Sequence, residues 1–186
     1  RIVFIKNVPA ETSIGYCGGQ LDVDETRNLV YMTSQCGGGN DPLHVLDGSN
    51  NSITGGPLGS GGIVGSVRVN PFTGRAYVAR SGGTRVFGPS PSFTNLGDLT
   101  GTIAGINSAA NLLYFSSGSD LLVRDGSTHA LIATISGAAA GTVGINTNRS
   151  RVYVPDGANQ NVKIIDGNTH TVIGTFTLGV GVTPGG

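Results

Sequence analysis

The sequence predicts an all-β fold assembled from about four copies of one four-stranded antiparallel unit, and three observations predict it. A tyrosine-centred run recurs as Leu29-Val30-Tyr31-Met32, Arg75-Ala76-Tyr77-Val78, Leu112-Leu113-Tyr114-Phe115 and Arg151-Val152-Tyr153-Val154, with the tyrosines 46, 37 and 39 residues apart. A period near 40 marks one supersecondary unit copied along a chain. Of the 186 residues, 32 are glycine, more than twice the usual ~7%, and they sit between regular apolar runs where tight turns need them. No segment carries an apolar stripe at helical spacing over three turns.

Each unit reads as four strands in order. The first is apolar and ends in a turn residue: Leu21-Asp22-Val23-Asp24, Val67-Arg68-Val69-Asn70, Ile103-Ala104-Gly105-Ile106-Asn107 and Val143-Gly144-Ile145-Asn146. Short polar runs such as Pro71-Phe72-Thr73-Gly74 and Thr147-Asn148-Arg149-Ser150 follow. Asn, Asp and Gly accept left-handed backbone angles and bond to their own main chain, so these runs are hairpin turns into the tyrosine strand. The third strand closes on Asp-Gly in His44-Val45-Leu46-Asp47-Gly48, Leu122-Val123-Arg124-Asp125-Gly126 and Ile164-Ile165-Asp166-Gly167. A fourth alternating run is clearest in Ala130–Ile135 and Thr171–Phe176. The second unit departs from the pattern: Thr84-Arg85-Val86-Phe87 ends in Gly-Pro-Ser-Pro-Ser, which makes residues 88–92 the candidate variant loop.

Units of this length with four strands are the size of propeller blades. The prediction is a β-propeller of about four blades in this chain, with repeats at about 14–58, 59–100, 101–137 and 138–180 inside a single propeller domain or propeller fragment, 1–186. Residues 2–8 read as the outer strand of an earlier blade, and Val182-Thr183-Pro184-Gly185-Gly186 as the lead-in to a further one. Three readings of these ends stay open: part of a larger ring, an arc completed by another chain, or a small closed ring of four or five blades. The chain begins at Arg1 with neither a methionine nor a signal peptide, so a processed form or a fragment is expected.

Val69-Asn70-Pro71, Thr73-Gly74-Arg75-Ala76-Tyr77-Val78-Ala79 and Val162-Lys163-Ile164-Ile165-Asp166-Gly167 resemble the YVTN β-propeller repeats. Those repeats occur in archaeal surface-layer proteins and in secreted or periplasmic bacterial proteins, often as seven-bladed rings. The resemblance covers nearly all of residues 14–180. It implies the propeller fold and says almost nothing about activity, because propellers host many unrelated functions. Ala76 stands where the family usually has isoleucine, Arg80 and Asp156 fall near its usual asparagine, and Tyr114-Phe115 replaces Tyr-Val.

Eleven basic and eleven acidic residues balance, so no basic field for nucleic acid exists. The apolar runs are too short and interrupted for membrane insertion. A surface rich in Ser, Thr, Asn and Gly suits an extracellular, cell-surface or periplasmic protein. Cys17 and Cys36 bracket the open end of the first hairpin, which makes them a disulfide candidate. Closing that span of about 20 residues would contribute ~3 kcal/mol and would point to an oxidising compartment. Asn50-Asn51-Ser52 and Asn148-Arg149-Ser150 are glycosylation-type triplets in turns.

Candidate chemistry is sparse. His129 and His170 occupy the same place after their Asp-Gly turns, where a residue copied blade by blade serves the turn; His44 stands alone on a third strand, where half-exposure is expected. Asp22, Asp24 and Glu25 form the one acidic cluster, but Asp24 aligns with Asn70, Asn107 and Asn146, so a solvated turn is the better reading than a calcium site. The entries to the first strands, Gly19-Gln20, Gly65-Ser66, Gly101-Thr102 and Gly141-Thr142, are small and neutral, and Asp22 and Arg68 are the charges within those strands. Tyr31, Tyr77, Tyr114 and Tyr153 are expected to pack between blades rather than form an aromatic platform. No catalytic, cofactor-binding or metal residue is assigned, and no cofactor is expected. The expected function is a non-catalytic extracytoplasmic module for protein–protein interaction or surface assembly, with a protein partner or self-association through loops such as 37–43 and 88–95. The alternatives are a lyase- or redox-type propeller enzyme, or its scaffold subunit, with its site in other blades, and a polysaccharide or cell-wall binder.

Overall fold

The computed structural model describes residues 19–34, 43–59 and 62–179. They form four separate four-stranded antiparallel sheets, each with its strands in chain order. Blade 1 holds β1 (Leu21–Asp24), β2 (Leu29–Thr33), β3 (Leu43–Asp47) and β4 (Ile53–Leu58). Blade 2 holds β5 (Ile63–Asn70), β6 (Arg75–Arg80), β7 (Gly83–Phe87) and β8 (Asn95–Leu99). Blade 3 holds β9 (Thr102–Asn107), β10 (Leu112–Ser117), β11 (Asp120–Asp125) and β12 (Leu131–Ile135). Blade 4 holds β13 (Gly144–Asn146), β14 (Arg151–Asp156), β15 (Asn161–Asp166) and β16 (Thr171–Thr177). The first strands touch in succession, β1 with β5, β5 with β9 and β9 with β13, which makes them the inner strands of the arc. The expected outer strand 2–8, both cysteines and residues 37–42 of one proposed contact loop lie outside the described residues.

The turn residues do the work their chemistry suggests. The side-chain oxygens of Asp24, Asn70, Asn107 and Asn146 accept backbone N–H bonds from Arg27 (3.1 Å), Phe72 (3.0 Å), Ala110 (3.1 Å) and Arg149 (3.1 Å). This local bonding turns the chain after each inner strand. The residue just before each second strand is left-handed in all four blades, with φ 54° at Asn28, 71° at Gly74, 51° at Asn111 and 48° at Ser150.

Among the described residues the buried apolar side chains form three clusters, one at each blade junction. Leu29, Tyr31, Leu43 and Val45 of blade 1 meet Val67, Val69, Ala76 and Val78 of blade 2. Tyr77 and Val86 meet Ile103, Leu113 and Phe115. Tyr114, Leu121 and Val123 meet Val143, Val152, Val154 and Ile165. Alternation along the strands explains this: one face of each blade serves the preceding neighbour and the other the following one. Tyr31, Tyr77 and Tyr114 have no solvent exposure, and burying each ring contributes roughly 4–6 kcal/mol gross at ~25 cal/mol per Å². Hydroxyls also link neighbours: Thr33 Oγ1 donates to Gly65 O (2.7 Å), Thr84 Oγ1 to Gly101 O (2.8 Å), and Ser116 Oγ to Ala140 O.

The irregular stretch after β7 is a plug. Phe93 is 4% exposed and sits edge-on to Tyr31, ring centroids 6.3 Å apart. It fills the space over Gly55, where an added Cβ would stand 2.6 Å from the ring.

Candidate functional site

The inner strands bring residues from all four blades to one cleft of about 380 Å³. Asp22 comes from β1, Arg68 from β5, Ile106 and Ser108 from β9 and the turn after it, and Thr142 and Ile145 from the approach to β13 and the strand itself. The two inner-strand charges that the sequence singled out therefore share one site. Asp22 is engaged as an acceptor, taking N–H bonds from Val69 of the next blade (2.7 Å) and from Val23 (3.0 Å). Arg68 folds its guanidinium onto Val67 O (2.9 Å). The cleft is polar at its charged side and apolar along Val69, Ile106 and Ile145, an arrangement that can orient a polar ligand.

Two sequence expectations need correction. Asp24 is a turn residue but not a solvated one: it has no exposure, and its carboxylate pairs with Arg27 at 2.9 Å. Arg27 in turn donates to Pro71 O of blade 2 (3.0 Å), so the pair is drawn into the junction. His44 is 6% exposed rather than half-exposed. It lies across from Met32 in the ladder, and against Gly56, whose missing Cβ would be 3.1 Å from Nδ1. Neither ring nitrogen has a partner among the described residues, and burial lowers its pKa.

His129 and His170 occupy their turns as expected, with positive φ of 63° and 57° and N–H bonds to Asp125 O (2.9 Å) and Asp166 O (2.8 Å). The ring of His129 has a further role that sequence reasoning missed. Its Nε2 lies 3.0 Å from Tyr77 Oη and 3.4 Å from Arg75. Burial, then the Arg75 and Arg124 charges, hold its pKa below the usual value. Arg75 donates to Gly126 O (3.3 Å) and Ser127 O (2.6 Å), and Tyr77 Oη donates to Gly126 O (3.4 Å). Blade 2 thus grips the Asp-Gly turn of blade 3. The available signal was the repeat itself, because Arg75 and Tyr77 stand where Arg151 and Tyr153 stand in blade 4.

Among the described residues no group of three or more His, Cys, Asp or Glu is placed to hold a metal ion, and no helix is long and apolar enough to cross a membrane. The loop at 88–95 is exposed apart from Gly88, Ser90 and the Phe93 anchor. Large apolar side chains also face solvent on the outermost strands: Leu96 on β8, Leu131 and Ile132 on β12, Val172 and Ile173 on β16.

No protein-family model matches the chain, nor does any curated protein. Solved structures do. Kluyveromyces lactis Hsv2 superposes with a TM-score of 0.69 at 12% identity, over 87% of this chain and 52% of that one. Hydrazine synthase of Kuenenia stuttgartiensis superposes with a TM-score of 0.63 at 15% identity, over 81% and 46%. The form of K. lactis Hsv2 with a complete loop 6CD gives 0.65 at 11% identity, over 82% and 48%. The chain spans about half the length of these proteins. Four four-stranded antiparallel blades and these neighbours together establish its fold as that of a β-propeller.

Proposed function

We propose that this chain is a non-catalytic β-propeller module for protein–protein interaction, built from YVTN-type repeats and working outside the cytoplasm in cell-surface or extracellular assembly. The observation that carries the reading is that large apolar side chains stand exposed on the outermost strands of three blades, with Leu131 52% and Ile173 51% exposed, together with an exposed loop before β8 that Phe93 anchors. Apolar residues grouped on exposed edge strands are contact surface or a liability, and proteins otherwise avoid them. Cross-linking in intact source cells, followed by surface fractionation, tests the reading. A partner linked to β8, β12, β16 or the 88–95 loop is expected, with its yield falling in Ile132→Ser and Ile173→Ser. A chain found only in the cytoplasm with no cross-linked partner overturns it, as does a cofactor that raises the melting temperature and restores a chemical activity. Cys17 and Cys36 belong to the same proposal: an oxidised pair gains two hydrogens in intact mass on reduction.

A second reading has the axial cleft in its favour. Asp22, Arg68, Ser108 and Thr142 offer both signs of charge and hydroxyls around about 380 Å³, which suits a polar polysaccharide or cell-wall fragment. Titration with such fragments, and its loss in Asp22→Asn, is the test.

A further inference from the structure

One inner-strand position departs from the repeat. The residue laddered against the repeat tyrosine is Asp22 in blade 1, Arg68 in blade 2, Gly105 in blade 3 and Gly144 in blade 4. The turn residue and the tyrosine are copied blade by blade. A position that holds an acid, a base and two glycines answers to something other than that shared pattern. Asp22, Arg68 and Gly105 all line the axial cleft of about 380 Å³, a volume at the lower end of the ~300–1,000 Å³ usual for ligand sites.

The two charges of the cleft are not spent on each other. Arg27 pairs with Asp24, Arg80 and Arg85 with Asp98, and Arg151 with Asp166. Arg75 and Arg124 donate to carbonyls of the turn after β11. Arg68 is half-buried like these, yet among the described residues it pairs with no carboxylate, and its guanidinium bonds only the carbonyl of Val67, the residue before it (2.9 Å). A planar fork of five donors with most of them unused matches a carboxylate. Asp22 accepts one N–H on each oxygen, from Val23 on Oδ1 (3.0 Å) and Val69 on Oδ2 (2.7 Å), and each oxygen keeps a lone pair for a further donor. Val69, Ile106 and Ile145 supply an aliphatic wall, and no aromatic ring is among the lining residues.

We propose that the axial cleft captures the C-terminal end of an aliphatic peptide, its carboxylate on Arg68, its last backbone N–H on Asp22 and its last side chain against Ile106 and Ile145. Such a chain end offers an acceptor fork, a donor and an apolar group together. An inorganic anion would leave Asp22 and the wall unused, and a sugar face would find no ring to stack on. The cleft is separate from the outer strands, so failure here leaves the surface on β8, β12 and β16 standing. The test titrates N-acetyl-valyl-valine and its C-terminal amide while following the methyl NMR signals of Ile106 and Ile145. The acid should shift both methyls saturably, and the amide should bind about ten- to hundred-fold more weakly for want of the charge-assisted bonds. Arg68→Gln should lower the acid to the level of the amide, with circular dichroism unchanged; the comparison of acid with amide on wild type stands even if that variant misfolds. Equal binding of acid and amide, a preference for the acid that survives Arg68→Gln, or no shift at either methyl overturns the inference. Shifts produced by oligogalacturonate and not by the peptide acid also overturn it, in favour of the polysaccharide reading of the cleft.

Discussion

Replacing Gly126 by alanine places a methyl carbon 2.1 Å from Asn111 Oδ1 and 2.7 Å from Asn70 Nδ2. Those atoms are bonded to each other at 2.7 Å, and Asn111 is held from its other side by Ser127 Oγ at 2.9 Å, so the obstructing side chain has nowhere to retreat. Asn70 has no exposure, and displacing Asn111 leaves its amide unpaired, at about 1–3 kcal/mol, to which overpacking adds about 1–3 kcal/mol. A loss of about 3 kcal/mol is expected, equivalent to a melting temperature lower by about 6–12 °C for a chain of this size. The repeat provides its own controls. At Gly48 the nearest atom is Asn28 Oδ1 at 2.6 Å, the tip of an exposed side chain that can swing away, so Gly48→Ala costs about 1 kcal/mol or less. At Gly167 the nearest atom is Ser150 O at 3.1 Å; small adjustment there is offset by the about 0.4–1 kcal/mol that alanine gains by restricting the unfolded chain. Urea unfolding of the three variants should rank them Gly126, Gly48, Gly167 from most to least destabilised. Equal costs at all three, or a wild-type-like Gly126→Ala, would refute the reasoning, because it rests on junction contacts and not on the Asp-Gly turn the three share.

Four further outcomes are expected. Tyr77→Phe removes hydroxyl contacts to His129 and Gly126 O and should cost about 1 kcal/mol, while Tyr31→Phe, whose hydroxyl has no partner among the described residues, should be neutral or stabilising in the same unfolding assay. Burial pushes Tyr31, Tyr77 and Tyr114 up to about 12. A raised folded value favours the protonated form, so this stability is intact below the unfolded value near 10 and is lost as pH climbs toward about 12; ultraviolet titration should show three phenols ionising late. His129 and His44 have lowered values, so the folded state holds fewer protons, and stability present above about 6.5 falls as pH drops below it; His129→Asn, which tolerates the positive φ, should flatten that part of the urea-midpoint profile. Finally, the Lys163 ammonium bonded at 2.7 Å to Asp156, together with Asn159, holds that carboxyl at about 2. Lys163→Met should return it toward the usual carboxylate range in an NMR titration, with a stability change of at most about 1 kcal/mol.

The blades were legible because a strand's inward and outward residues, its turn chemistry and its tyrosine repeat together. Asp24, Asn70, Asn107 and Asn146 could be aligned by eye, and all four bond backbone N–H groups as their residue types suggest. What the local pattern could not carry was which copy has a neighbour. Tyr77 and Tyr153 sit in closely matching runs, Arg75-Ala76-Tyr77-Val78 and Arg151-Val152-Tyr153-Val154, yet one is sealed and the other half-buried, since burial here depends on the next blade and not on the strand. Asp24 and His44 looked surface-bound for the same reason: the groups that cover them belong to other strands or the following blade. The Phe93 plug hid in a stretch whose Gly-Pro-Ser-Pro-Ser composition announced an irregular loop, while the cavity it fills, over Gly55, is made by a different blade. Asp22 and Arg68 were visible as the charges of the inner strands, and their meeting in one cleft required the arc.

That the apolar residues divide into three junction clusters, with no common centre, has a consequence for how such a chain changes over time. Each blade depends on what adjoins it and on little else, so unfolding energy is distributed as a chain of nearest-neighbour terms. A lesion at one seam is confined there, and hydrogen exchange should run fastest at whichever terminal blade lacks company. Duplicating or deleting a 40-residue segment alters the number of seams without redesigning any of them. Lineages of such proteins can therefore lengthen or shorten by whole units, each new seam repeating the contacts of the old ones.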